Sequence, residues 1–180
     1  MKYKNKPDNI YNRYEPDLYH LDVVIAMGDV LRYAVKDYDY NLADFTNKFL
    51  LSNTFNEFLK DDSLNCQSPL YVIERFLKES NVKIKKLENN GKKLSKYESL
   101  EPAYWLGNIL CTWGIVDEIS GKDILEKYDI EMIIIDYERL HVTSMSLAID
   151  QIKREYTREY VKKIQKEHGW NYEKIKEDLF

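Results

Sequence analysis

An all-α fold is what this sequence predicts: a compact multi-helix bundle around a central apolar helix at about 102–117. Three observations predict it. Apolar residues recur three and four positions apart along most of the 180 residues, the period of a helix with one buried face. Side chains able to cap a helix precede those runs at Asn41, Ser68, Asp129 and Thr143. The segment 102–116 carries no charge at all, as expected of a helix covered by neighbours on nearly every side.

The elements follow in order. Residues 1–15 read as a flexible tail. Pro16 suits a first helical position and Asp17 suits the positive end of the helix dipole. From Leu18 to about Lys36, Leu21, Val24, Ile25, Gly28, Leu31 and Val35 form the expected apolar face, with Asp22, Asp29, Arg32 and Lys36 opposite. Asn41 caps a second helix, with Asp44 three residues on. Phe45, Phe49, Leu50, Phe55, Phe58 and Leu59 supply an aromatic face, and Ser52-Asn53 is a plausible break within it. Ser68-Pro69 reads as cap and first residue of a short helix carrying Val72, Ile73, Phe76 and Leu77.

Residues 80–100 change character. Val82, Ile84 and Leu87 stand among lysines, and Asn89-Asn90-Gly91 is a turn signal. This stretch is a small β-hairpin or an extended loop, the loop being the preferred reading. Between Glu74 and Glu98 there are eight basic and four acidic residues, against ten acidic and four basic from Glu15 to Ser63.

In the central helix, Ala103, Gly107, Cys111 and Gly114 form a small-residue face beside a bulky one of Trp105, Ile109, Trp113 and Val116. Each glycine costs ~1 kcal/mol of helix propensity against alanine, and close helix–helix approach is the expected compensation. Ser120-Gly121 turns the chain into a short helix with Ile124, Leu125 and Tyr128, and Asp129 caps another over Ile130–Ile135. The run Met132 to Ile135 has strand-like composition but no partner strand, so it reads as helix. Thr143 is expected to cap one long helix bearing Leu147, Ile149, Ile152, Tyr156, Tyr160 and Ile164, closed by His168-Gly169, with a last helical piece from Asn171 to Phe180. The expected organisation is a tail at 1–15, a helical domain at 16–152 and a C-terminal helical extension at 153–180.

At 21.6 kDa the chain is long enough to bury roughly 70% of its unfolded surface without staples. Cys66 and Cys111 follow no metal or redox spacing, which excludes a disulfide framework. A net charge of −4 argues against global electrostatic binding of nucleic acid, though not against a local basic patch. No secretory leader and no run approaching the ~20 apolar residues of a membrane span are evident. A cytoplasmic location with no membrane partner is therefore expected.

The chemistry-bearing residues are sparse. His20, His141 and His168 fall on separate elements, without metal-ligand spacing. No glycine-rich phosphate loop or nucleophile elbow is present. Asp61-Asp62 and the pair Asp37 and Asp39 sit at predicted helix ends and turns, where carboxylates are ordinarily solvated. His141 reads as a packing or capping residue and Cys111 as a buried, inert thiol. The expectation is a protein without enzymatic activity, cofactor or metal. Arg154, Arg158, Lys162 and Lys166 recur every four residues and would form one basic stripe on the long helix, a potential phosphate track. Glu155, Glu159 and Glu167 run alongside, which favours a solvated mixed-charge face.

Two stretches carry a family resemblance. Glu101-Pro102-Ala103-Tyr104-Trp105-Leu106-Gly107, continuing to Trp113 and Ser120-Gly121-Lys122-Asp123-Ile124, resembles the S-P-E-Y-W-x-G … T-G-R/K-S-F-K-x-I pattern of an uncharacterised bacterial family. Tyr137-Glu138-Arg139-Leu140-His141, leading into Met145-Ser146-Leu147, resembles that family's Y-x-x-x-H-x-x-D-I/M segment. Met27 to Val35 and Phe45 to Phe58 are similar to its N-terminal helices, so the resemblance covers roughly residues 18–152. Ala103 stands where the family usually has Glu, and Ser144 replaces a usual acid.

Members of the family resemble components of toxin–antitoxin-like loci, encoded beside small helical proteins and an ADP-ribosyltransferase-like protein. Several carry a C-terminal helix-turn-helix. Tyr160 to Trp170 resembles the first helix of such a module, and the sequence ends at Phe180 before a recognition helix is complete.

The resemblance implies a non-enzymatic, antitoxin-like protein that restrains a protein partner, a toxin or a host-defence effector. Trp105, Trp113, Lys85, Lys86, Lys92 and Lys93 are the candidate contacts, the tryptophans provided they are not fully buried. The alternatives are a mobile-element inhibitor of host defence of the anti-CRISPR type, and a nucleic-acid-binding regulator using the stripe from Arg154 to Lys166.

Overall fold

The computed structural model describes residues 18–60, 62–87 and 99–168. Among these, the chain is all-α. The helices are α1 (Leu18–Lys36), α2 (Leu42–Leu50), α3 (Asn53–Phe58), α4 (Asp62–Asn65), α5 (Pro69–Ser80), α6 (Leu100–Asp117), α7 (Gly121–Lys127), α8 (Ile130–Ile135), α9 (Tyr137–Leu140), α10 (Met145–Glu155) and α11 (Arg158–His168). The tail at 1–15, Lys92, Lys93 and the piece from Asn171 to Phe180 lie outside the described residues.

The capping signals select most of the boundaries. The side-chain oxygens of Asn41, Ser52, Ser68, Ser120 and Asp129 each accept the backbone N–H three residues on, satisfying a donor that the first helical turn leaves without a partner. Ser52 thus separates α2 from α3, and the isoleucine run forms α8. The bond that starts α10 comes from Ser144, accepting from Leu147 N, and not from Thr143. The Thr143 hydroxyl instead donates to Leu140 O at 2.8 Å, which removes it from the capping role.

The centre of the bundle is the antiparallel pair α1 and α6, the most extensive helix–helix contact in the molecule. Tyr104 lies by Arg32, Gly107 by Gly28, and the Cys111 thiol by the Val23 carbonyl. The small-residue face of α6 makes this approach possible: a Cβ on Gly107 would stand 2.6 Å from Met27 O and 2.8 Å from Gly28 Cα. The bulky residues of α6 fill the other side, with Ile109 and Trp113 wholly buried. Phe45, Phe49, Phe55 and Phe76 form a second centre, with ring centroids 5.3 to 5.6 Å apart.

The buried face of α1 is rotated from the expected one. Val23, Val24, Met27, Val30, Leu31, Ala34 and Val35 are inside, whereas Leu21 and Ile25 are 40% and 39% exposed. Two overlapping stripes of this helix satisfy the three-and-four spacing. The one next to Gly107, and to α5 on its other flank, is the one that packs.

The expected single long C-terminal helix is two helices. After Glu155 the Tyr156 carbonyl accepts Asp129 N, and Thr157 bridges to Tyr128. The Thr157 hydroxyl then accepts Tyr160 N and opens α11. The 152/153 boundary of the expected extension falls inside α10. Lys153 bonds Asp117, and the Arg158 Nε donates to Leu125 O at 2.9 Å, so the start of the extension is tied to the helical body.

Candidate functional site

The two motif stretches meet in space through Trp105 and Tyr137. Glu101, Tyr104, Trp105 and Asn108 recur on one side of α6 at three and four residues. The Trp105 indole meets the Tyr137 ring edge-on at 5.5 Å, and Tyr137 stacks on His141 at 4.3 Å with the planes 15° apart. One turn of helix is enough to make the second contact, because α9 places residues four apart on the same side. His141 closes α9, and its Nδ1 lies 2.9 Å from Tyr137 O. This is the capping and packing role expected of it.

The ledge continues onto α1. The Arg32 guanidinium sits 4.8 Å from the centre of the Tyr104 ring and bonds Asp29 at 2.6 Å. The absent side chain of Gly28 leaves room for Tyr104 and Asn108 to lie against α1. All four rings, Tyr104, Trp105, Tyr137 and His141, are half-buried. Burial, followed by the Glu101 and Glu138 carboxylates, pushes the Tyr137 phenol above its ordinary value. The exposed carboxylates of Glu101 and Glu138 lie by the Tyr137 ring, and Val142, next to His141 in the chain, is 72% exposed.

Trp113, the other tryptophan proposed for contact, is a core residue with no exposed surface. Its indole N–H donates to Asp117 at 2.9 Å, its ring packs on Tyr128 at 4.7 Å, and Lys153 lies 5.6 Å over it. It cannot touch a partner in this fold. Four residues separate Trp113 from Ile109 just as four separate Trp105 from Ile109, so sequence spacing gave no means to tell which indole would face outward.

Lys85 and Lys86 lie in the extended stretch 82–87, which among the described residues makes one antiparallel bridge, Tyr40 with Lys86, and no strand. Among the described residues, the backbone bonds that hold the stretch lie on one edge. Asn41 N donates to Lys85 O at 2.8 Å and Leu87 N to Asp39 O at 2.8 Å. The Asp44 carboxylate, already bonded to Lys48, accepts Lys85 N at 2.6 Å. Burial raises the Asp44 pKa, but the bonds and charges of Lys48 and Lys85 outweigh it and hold the carboxyl below its ordinary value. The Lys86 ammonium bonds Tyr38 O and lies 4.3 Å over the Tyr40 ring. Lys83, Lys85 and Lys86 are exposed, while Val82, Ile84 and Leu87 pack on the core.

The basic stripe is divided by the break at Tyr156 and Thr157. Arg154 stands on α10, whereas Arg158, Lys162 and Lys166 share a side of α11. All four are exposed, and Arg158 spends its Nε on the Leu125 carbonyl. The stripe expected from a single helix is therefore a three-residue one plus a separate arginine.

A cleft of about 450 Å³ opens between α3 and α5, lined by Asn53, Glu57, Tyr71, Glu74, Arg75, Lys78 and Glu79. Its charges are largely engaged with one another. Arg75 pairs with Glu57, and Glu79 caps α3 by accepting Asn53 N, Thr54 N and the Thr54 hydroxyl. Among the described residues no group of three His, Cys, Asp or Glu side chains is placed to hold a metal ion, and no helix is long and apolar enough to cross a membrane. Compared with protein-family models, curated proteins and solved structures, the chain matches none. The family resemblance rests on its motifs alone.

Proposed function

We propose that this chain is a non-enzymatic, antitoxin-like interaction protein that binds and restrains a partner protein, with the ledge of Tyr104, Trp105, Tyr137 and His141 as its principal contact. The observation that carries this reading is the convergence of Trp105 and Tyr137, at 5.5 Å, on a half-buried surface bordered by charge. Tryptophan, tyrosine and arginine dominate binding hot spots when a partner completes their burial, and surrounding charge sets orientation and encounter rate. Trp105 already gives part of its ring to Tyr137 and so has little conformational freedom to lose on binding.

Affinity purification of the tagged chain at moderate salt, with protein and nucleic acid both quantified, tests the reading. A stoichiometric protein is expected with the native chain and absent with Trp105→Ala, the variant's far-UV circular dichroism being unchanged. Expression of that protein alone should slow growth, and co-expression of the native chain but not of Trp105→Ala should relieve it. Recovery of nucleic acid alone, lost at high salt, would overturn the reading in favour of a nucleic-acid-binding regulator.

A further inference from the structure

The stretch 82–87 has a second edge. Around the bridge of Tyr40 with Lys86, the backbone bonds run from Asn41 N to Lys85 O and from Leu87 N to Asp39 O. Tyr40 and Lys86 are thus the non-bonded pair of an antiparallel ladder. Residues 85 and 87 turn their backbone groups toward 39–41, and residues 84 and 86 turn theirs the other way. No backbone hydrogen bond joins the N–H or C=O of Ile84 or Lys86 to another described residue. Among the described residues, then, one edge is paired and the other is not, and an extended backbone of that kind is the template onto which a further strand adds.

The side chains define what such a strand must be. From Val82 to Lys85 the side chains alternate as along a strand, Val82 and Ile84 toward the core and Lys83 and Lys85 toward solvent, whereas at the end of the stretch Lys86 is exposed and Leu87 packs on the core. A second copy of this chain pairing edge to edge would bring lysine beside lysine, which is destabilising. A strand carrying carboxylates opposite Lys83 and Lys85, with apolar residues between them, satisfies both faces at once. The alternation is kept in place by Asp44, whose carboxylate bonds Lys85 N, and by Lys48, whose ammonium bonds both Asp44 and Lys83 O. The edge is consequently anchored to α2 before any partner arrives, which lowers the ordering cost of binding.

We infer that the open backbone edge at Ile84 and Lys86 adds one extended segment of a protein partner, in which acidic and apolar residues alternate. The inference deepens the partner-binding reading by naming the chemistry of the partner segment, and it uses residues outside the aromatic ledge. Main-chain bonds give such a contact its geometry, and the lysines give it selectivity and a salt dependence.

The test is fluorescence anisotropy of the purified full chain with a fluorescein-labelled hexapeptide of alternating glutamate and valine. Saturable binding is expected, weakened about tenfold by the double variant Lys83→Glu/Lys85→Glu; because the Lys85 charge also acts on the anchoring Asp44, unchanged amide exchange at residue 85 is required of the variant. Methylating alternate peptide nitrogens separates main-chain pairing from charge. One of the two methylation patterns should abolish binding and the other leave it within about twofold, since only one edge of the added strand faces the protein. Equal binding of both methylated peptides would overturn the inference, as would equal binding of a lysine–valine peptide or no saturation up to millimolar chain. Tighter binding of a thymidylate oligonucleotide, lost in the same double variant, would also overturn it and assign the edge to nucleic acid. Because the titration uses no natural partner, its failure would leave the Trp105 ledge standing, and loss of capture by Trp105→Ala is read independently of it.

Discussion

Replacing Gly107 by alanine tests the packing on which the ledge depends. The added Cβ would stand 2.6 Å from Met27 O, 2.8 Å from Gly28 Cα and 2.9 Å from Gly28 N, all of them α1 backbone, where ordinary contact begins at 3.4 Å. The helices must therefore separate by about 0.8 Å (3.4 less 2.6). A gap of that size forfeits roughly a quarter to a half of the dispersion well for each atom pair across the seam. Overpacking of this kind costs up to about 3 kcal/mol, and the better helix propensity of alanine returns about 1 kcal/mol. The net expectation is a loss of about 2 kcal/mol, or ~5 °C in Tm for a chain of this size. The control is Gly114→Ala, whose Cβ would meet the Leu59 Cδ1 at 2.5 Å, the far end of a half-buried side chain that can rotate. That variant should lie within about 0.5 kcal/mol of the native chain or be more stable, since propensity and a soft contact oppose each other. Urea titration followed by circular dichroism at 222 nm reads both. If Gly107→Ala unfolds at the native midpoint, or if Gly114→Ala is the more damaging, close backbone approach is not what the small face of α6 provides.

Four further outcomes are expected. Thr112→Val should be neutral or stabilising by up to about 1 kcal/mol in the same titration, because the Thr112 hydroxyl is buried without a hydrogen-bond partner among the described residues. Glu118→Gly should stabilise by about 0.5–1 kcal/mol, since Glu118 ends α6 at φ 52°, in the left-handed region where glycine meets no Cβ penalty; a lower urea midpoint would contradict this. Burial raises the Glu79 pKa, but the bonds from Thr54 and Asn53 outweigh it and hold the carboxyl below its ordinary value of 4.5. The group therefore contributes stability above about pH 4.5 that is lost as pH falls through the folded value, and Glu79→Gln should flatten the acid limb of urea midpoint against pH. Asp44→Ala should cost about 2 kcal/mol, from loss of charge-assisted bonds to Lys48 and Lys85 N, and should accelerate amide exchange at Lys85 without affecting Met27; unchanged exchange at Lys85 would show that Asp44 does not anchor the extended stretch.

Local chemistry made much of this fold legible. A cap needs only a short polar side chain and an N–H three residues on, so Asn41, Ser52, Ser68, Ser120 and Asp129 identify their own helix starts. The uncharged helix with glycines on one face identifies itself as central, because a helix apolar on nearly every side needs neighbours on every side. What stayed hidden was orientation about each helix axis. The α1 sequence offers two apolar stripes, and only the arrival of Gly107 against Gly28 selects between them. The same ambiguity hid the difference between Trp105 and Trp113, which share a helix and a spacing but not a neighbour: one meets Tyr137 at the surface, the other Tyr128 in the core.

The division at Tyr156 was likewise tertiary. Residues 145–168 keep a helical period throughout, and the chain leaves it where the Tyr156 carbonyl accepts Asp129 N and Thr157 bridges to Tyr128. With that break the four-residue basic stripe is lost as one feature. The edge at Ile84 and Lys86 was half-visible: alternation of lysine with apolar residues was in the sequence, but which backbone groups stay open depends on pairing with Tyr40. The sequence by itself determined the all-α character and the starts of α2, α3, α5, α7 and α8, since those follow from bonds and periods within a few residues. Which side chains reach the surface and which are buried was decided by contacts between segments distant in sequence, such as Gly28 with Gly107 and Trp105 with Tyr137, and only the folded chain contains those.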